Sequence, residues 1–246
     1  MNHPTLWIAT RGLLTGLRGG VGGALAVAYV SICSLYTFTL YPYFVEGEAT
    51  LQPMFEVIPF MLTLLASTLT LELVAGERER GQFDVWLASP LSYRALLLGK
   101  LGGAWALFLL TTFASLSAPL ILSIFTSLHW PSLFTAYIGV VLLGTMYLCI
   151  GLWASVWAKS ALSAWLTSFS ICFSFYMIGV SARFLPPTLA EWSQRLSAQS
   201  HFDRLTMGLI DSRDVIYFLG MILFWFALSV ETLRHQVNRV DPREEV

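Results

Sequence analysis

Residues 132–158 read SLFTAYIGVVLLGTMYLCIGLWASVWA, a run without one Lys, Arg, Asp, Glu or His. As a helix rising 1.5 Å per residue it would extend about 40 Å, more than the ~30 Å hydrocarbon core of a bilayer. The segment reads as a transmembrane helix. Five windows of the same kind surround it: Val21 to Phe44, Leu51 to Ala75, Leu96 to Leu128, Ala161 to Ala182 and Val215 to Leu233. The third window in chain order, Leu96 to Leu128, is too long for one straight span at ~50 Å. It must overhang, tilt strongly or break, and Ala118 and Pro119 offer a place for a break. No run has the strict alternation that membrane strands need, so a barrel is disfavoured.

The whole composition agrees with that reading. Of 246 residues, 56% are hydrophobic and 12% charged, and the mean hydropathy is +0.68. A soluble domain carries roughly twice that charge fraction. We therefore expect a single all-α integral membrane domain over residues 1–246, with six transmembrane helices. The first apolar run is too long for a signal-peptide core and has no small-residue cleavage pattern after it, so it is kept as a helix.

Orientation follows from the basic residues, which stay on the cytoplasmic side during insertion. With the N-terminus inside, ten of the fourteen Lys and Arg fall on the cytoplasmic side, among them Arg11, Arg78, Arg80, Arg94, Lys100 and Lys159. The other four, Arg183, Arg195, Arg204 and Arg213, lie in one outside loop, interleaved with Glu191, Asp203, Asp211 and Asp214. The short outside loops Val45 to Thr50 and His129 to Pro131 have none. Both termini are expected to be cytoplasmic.

Several chemistries drop out. A net charge of -1 gives no electrostatic footprint for nucleic acid. Cys33, Cys149 and Cys172 lie within apolar runs and form no CxxC, so they read as packing residues. His3, His129, His201 and His235 are scattered and form no HExxH, which argues against a metal. There is no GxxxxGK[ST], so the chain cannot cradle nucleotide phosphates by itself, and no cofactor is expected on it. Ionisable groups at depth are kept in membranes for function, and here only Glu56, Glu72 and Glu231 come near that description. Snorkelling to interfacial water accounts for them; Glu56 and Glu72 are retained as candidate functional intramembrane groups. Gly99 and Gly103, and Gly139 with Gly144, mark close helix packing.

Three segments stand outside the spans. Pro4 to Arg18, within residues 1–20, reads as an interfacial helix through Leu6, Trp7, Leu13, Leu14 and Leu17. The outside segment 183–214 holds Pro186-Pro187 and an amphipathic run through Leu189, Trp192 and Leu196, read as one or two short helices. The inside loop 76–95 carries the dense charge: Gly76-Glu77-Arg78-Glu79-Arg80-Gly81-Gln82-Phe83-Asp84-Val85-Trp86-Leu87-Ala88-Ser89-Pro90-Leu91, then Leu98-Gly99-Lys100. Phe83, Trp86 and Leu87 fall at i, i+3 and i+4 on one helix face, with Asp84 opposite and Glu77 to Arg80 offering charges to a partner. An exposed Phe and Trp in a charged loop need a partner or the membrane surface.

This loop resembles the one between spans two and three in the membrane subunits of type-2 ABC exporters: an acidic pair, basic residues, Gly-Thr-Leu-Glu, leucines, Ser-Pro, Gly-Lys. Tyr137-Ile138-Gly139, Leu143-Gly144 and Ile150-Gly151-Leu152-Trp153-Ala154-Ser155 to Lys159 are similar to that family's fourth span and inside turn. Leu196-Ser197, His201-Phe202, Gly208-Leu209-Ile210-Asp211 and Arg213-Asp214-Val215-Ile216-Tyr217 resemble a narrower group, the gliding-motility-type permeases. The chain departs from the family pattern at Gln82, where Thr is usual, at Gly76, where an acid is usual, and at Glu72, where a basic residue is common.

The resemblance implies a permease of the bacterial inner membrane. It would pair with a second permease copy, itself or a related chain, and bind two ABC ATPase subunits holding ATP and Mg. It would export substrate outward through the bilayer, with an accessory extracytoplasmic subunit as a further partner. Residues 1–20 would be the connector helix, 76–95 the coupling loop, and the short outer helices a cap before span six. The ATPase-coupling set is Glu77, Arg78, Glu79, Arg80, Gly81, Phe83, Asp84, Trp86 and Leu87. Two other functions stay open at the level of residues: an ATP-independent carrier or channel, and a non-transporting scaffold for surface machinery.

Overall fold

The computed structural model describes residues 20–39, 52–82, 92–125, 129–209 and 211–240. The interfacial helix expected at Pro4 to Arg18, the loop Val45 to Thr50, and Phe83, Asp84, Trp86 and Leu87 lie outside the described residues. Among the described residues every regular element is helical. In chain order they are α1 (Gly20–Thr39), α2 (Gln52–Thr70), α3 (Tyr93–Ser115), α4 (Ser117–Phe125) and α5 (Trp130–Trp157). Then come α6 (Ala161–Ser181), α7 (Pro187–Leu196), α8 (Ala198–Thr206) and α9 (Ser212–Val240). A π turn, Glu72–Gly76, and one α-helical turn, Glu77–Glu79, prolong α2.

Among the described residues, five helical stretches are long and apolar enough to cross a membrane: Met54–Glu79, Tyr93–Ile124, Trp130–Trp157, Ala161–Ser181 and Ser212–Asn238. The apolar run in α1, Gly22–Tyr36, is shorter. The chain is thus a multi-pass, all-helical membrane protein.

The overlong third window is interrupted at one residue, Leu116, which itself keeps helical φ and ψ. α3 ends at Ser115 and α4 begins at Ser117, just before the expected Ala118 and Pro119. Pro119 has no N–H to donate, and its ring crowds the carbonyl four residues back. That carbonyl belongs to Ser115, where α3 stops.

α5 is the hub of the bundle, packed against α2, α3, α6, α8 and α9. Leu143, Met146, Tyr147, Leu148 and Ile150 on it are fully buried. In lipid the hydrophobic effect does not drive helices together, so close backbone approach and interhelical hydrogen bonds must. Three glycines of α5 supply the approach. A Cβ on Gly144 would fall 2.1 Å from Phe108 Cζ of α3, one on Gly151 2.0 Å from Thr70 Oγ1 of α2, and one on Gly139 3.1 Å from Phe202 of α8. Hydrogen bonds add to this between α2 and α6, where the Ser67 and Ser168 hydroxyls lie 3.0 Å apart and Trp165 Nε1 donates to Thr68 Oγ1 at 3.0 Å. Such intramembrane bonds contribute about 0.6 kcal/mol each. Along the same seam runs an aromatic ladder, Trp165, Phe169, Phe173 and Tyr176, with Phe60 of α2 against its far end.

Candidate functional site

Of the expected coupling set, Glu77, Arg78, Glu79, Arg80 and Gly81 are described, and they form one compact junction. The π turn that leads into it changes the backbone bonding of α2, and Ser155 of α5 makes good the loss. Its Oγ accepts from both Val74 N and Ala75 N at 3.0 Å, all three residues being fully buried. A Cβ on Gly76 would lie 3.2 Å from Glu72 Cβ, so a larger residue there would require Glu72 to shift by a few tenths of an ångström.

The charges then divide among neighbouring helices. Lys100 of α3 is buried, donates to the Leu73 carbonyl at 2.8 Å and pairs with the Glu77 carboxylate. Arg78 donates through one guanidinium nitrogen to the carbonyls of Val156 (3.2 Å) and Ala158 (2.9 Å), and through the other to Gln236 Oε1 of α9 (2.7 Å). Glu79 Oε2 accepts from Ala161 N, the first residue of α6, at 3.2 Å. Arg80 pairs with Glu72 at 3.0 Å, both half exposed. Three of the four charges bond to other helices within the chain, Glu77 to α3, Arg78 to α5 and α9, and Glu79 to α6, while Arg80 pairs with Glu72 on its own stretch.

Gly81 ends the junction in a Schellman cap. Its φ is +68°, its N–H donates to the Arg78 carbonyl, and Gln82 N–H donates to the Glu77 carbonyl. Only a residue without Cβ adopts that conformation without strain, so the helix stops here. Phe83, Asp84, Trp86 and Leu87 follow beyond the described residues.

Neither candidate intramembrane acid meets a buried partner of opposite charge. Glu56 is exposed on the first turns of α2, and Glu72 is on the surface with Arg80. Glu231 is likewise exposed, beside Arg234 and His235. Among the described residues no group of His, Cys, Asp and Glu could hold a metal ion.

A second polar centre, not singled out from sequence, lies at the opposite end of the bundle. The amphipathic run does form α7, with Leu189, Trp192 and Leu196 exposed on it. α8, by contrast, is driven into the bundle. Phe202 and Leu205 are fully buried against Gly139, and Thr135 Oγ1 donates to the Leu205 carbonyl at 2.8 Å. Asp214, fully buried in the first turn of α9, accepts from Arg204 Nε at 3.1 and 3.0 Å and pairs with its terminal nitrogen. His201 Nδ1 lies 2.6 Å from the same carboxylate, and the ring stacks on Tyr217 at 4.0 Å between centroids. Tyr217 donates to the Leu196 carbonyl at 2.7 Å. The Asp214 carboxylate holds the Arg204 guanidinium above its ordinary value. A signal for this centre was present in the run His201, Arg204, Asp214, Tyr217, but in sequence the charges look like a solvated loop.

A search of curated proteins finds no match for the chain. The family model described as ABC-2 family transporter protein matches residues 21–232. That match covers most of the bundle, residues 76–81 of the charged junction and the polar centre around Asp214. With most of its length covered in this way, the chain belongs to the ABC-2 transporter family and is the transmembrane component of an ABC transporter.

Proposed function

We propose that this chain is the permease of an ATP-driven exporter in a bacterial inner membrane, with six spans and both termini in the cytoplasm. It works as a pair of permease chains with two separate ATPase subunits. The nucleotide and its Mg belong to those subunits, and loop 82–91 docks them through Phe83, Trp86 and Leu87. The observation that carries this reading is the junction from which the loop springs. A docking loop must hand its displacement to the spans, and this one leaves from a capped helix end bonded to α3, α5, α6 and α9. Pairing is supported by α6 and α9, whose apolar lengths are little buried within the chain and need lipid or another chain against them. The outer-loop residues from Leu196 to Tyr217 favour the gliding-motility-type subgroup.

The test is purification of the tagged chain in nanodiscs with whatever nucleotide-binding subunit accompanies it. An ABC ATPase should co-purify with the wild type and be lost when Phe83, Trp86 and Leu87 are all changed to Ala. Retention by the triple variant would move the docking site elsewhere; its absence from the wild type would count against an exporter. A proton- or ion-coupled carrier needs an ionisable group along its path. The exposure of Glu56 and Glu72 does not favour that alternative.

A further inference from the structure

Arg78 and Glu79 are consecutive, yet they grip opposite sides of one turn. Arg78 donates to the last carbonyls of α5, at Val156 and Ala158, while Glu79 accepts from the first amide of α6, at Ala161. A cation thus meets a helix C-terminus and an anion a helix N-terminus, each where the helix dipole favours it. The turn between them is stiff in itself. Ser160 caps α6 by accepting from Ser163 N–H, and Ser160 N–H in turn donates to Ser163 Oγ.

We propose that Arg78 and Glu79 are positioning residues that carry the nucleotide-driven stroke of loop 82–91 into the α5–α6 turn, so that α6 moves with the loop. The proposal rests on the exporter reading above. It makes α6 a receiver alongside the two spans that the loop joins covalently.

Two features of the structure favour this path. The Schellman cap at Gly81 lies two residues beyond Glu79, so Gln82, where the loop begins, is hydrogen-bonded to the same turn as the clamp. α6 is also little buried by the rest of the chain. One side of α6 packs on α5 and on the α2 seam, and its outer end on α8 through Gly179, so a displacement of the turn is passed along α6 and its packed neighbours while its other side is free of the chain. The neighbouring Arg80–Glu72 pair cannot substitute, because it is exposed and reaches no other helix.

The experiment uses the full complex with its ATPase subunit in nanodiscs. An environment-sensitive fluorophore is placed on one introduced cysteine, Gln82→Cys beside the loop or Ser181→Cys at the far end of α6. Cys33, Cys149 and Cys172 are buried and out of reach of a water-borne label. With the junction intact, both labels should respond to ATP. In Arg78→Ala and in Glu79→Ala the Gln82→Cys response should persist while the Ser181→Cys response is lost. Glu79→Gln, which keeps an acceptor for the Ala161 amide, should restore it. Glu79 is exposed, so its variants decide the matter if Arg78→Ala fails to assemble. A full Ser181→Cys response in Glu79→Ala overturns the proposal. If neither label responds to ATP with the junction intact, the exporter reading itself falls.

Discussion

A carboxylate with no exposed surface persists only where cations and donors surround it. Asp214 meets that condition through Arg204 and His201. Changing it to Ala strands both partners. Arg204 is partly solvated and recovers some of its loss in water, so about 2 kcal/mol of destabilisation is expected. Asp214→Asn keeps an acceptor and should cost less. Thermal unfolding in nanodiscs, followed by tryptophan fluorescence, should rank the melting temperatures wild type, Asp214→Asn, Asp214→Ala. Identical values would mean that the network holds nothing together. A second residue-scale expectation concerns Gly144, over which the Phe108 ring lies. Gly144→Ala should destabilise by roughly 1–3 kcal/mol through overpacking, and by clearly less in a Phe108→Ala background, which a double-mutant cycle measures. The packing role of Gly144 was legible in the sequence, because a glycine in an apolar helix marks close approach. The burial of Asp214 was not. Its partners lie ten and thirteen residues away across the turn at Gly208, and nothing local distinguishes them from a solvated charge run.

At the scale of an element, the contrast lies between the break after α3 and the π turn after α2. The break was legible because its cause is local: Pro119 acts on the carbonyl four residues earlier. The π turn was not, because the hydroxyl that accepts its amides comes from Ser155, some eighty residues further along. Sequence spacing shows Glu77 to Arg80 as charges offered to a partner; it does not show that Glu77, Arg78 and Glu79 also bond to the neighbouring helices. Ser155→Ala should expose that dependence. Two buried amides lose their acceptor, at a cost of about 1–3 kcal/mol for each group left unsatisfied. Hydrogen exchange at Val74 and Ala75 should accelerate in the variant, while exchange in the middle of α2 stays as it was. Uniform acceleration along α2 would instead mean that Ser155 supports the whole helix rather than its last turns.

For the whole molecule, the decisive asymmetry is between the two spans that the chain itself covers least. The outward side of α9 is alkyl and aromatic, with Ile216, Leu219, Leu223 and Phe224 exposed, a face that lipid satisfies. The outward side of α6 begins with Leu162 and Leu166 but continues through Ser170, Ser174 and Ser181. Ser174 returns its hydroxyl to the Ser170 carbonyl and Ser181 to that of Ile178, so neither is a strong polar liability, yet small hydroxylated residues are what helix–helix contacts in membranes favour. If the exporter works as a pair, the second chain should meet α6 rather than α9. Ser174 and Leu219 each lie seven residues from the end of their helix that adjoins the α7–α8 layer, so cysteines there sample similar depths. Under mild oxidation in the membrane, Ser174→Cys should give a disulfide-linked pair of chains and Leu219→Cys should remain single. The reverse pattern would place the partner on α9 and leave α6 to the lipid. The stroke proposed for α6 would then move a lipid-facing helix rather than the wall between two chains.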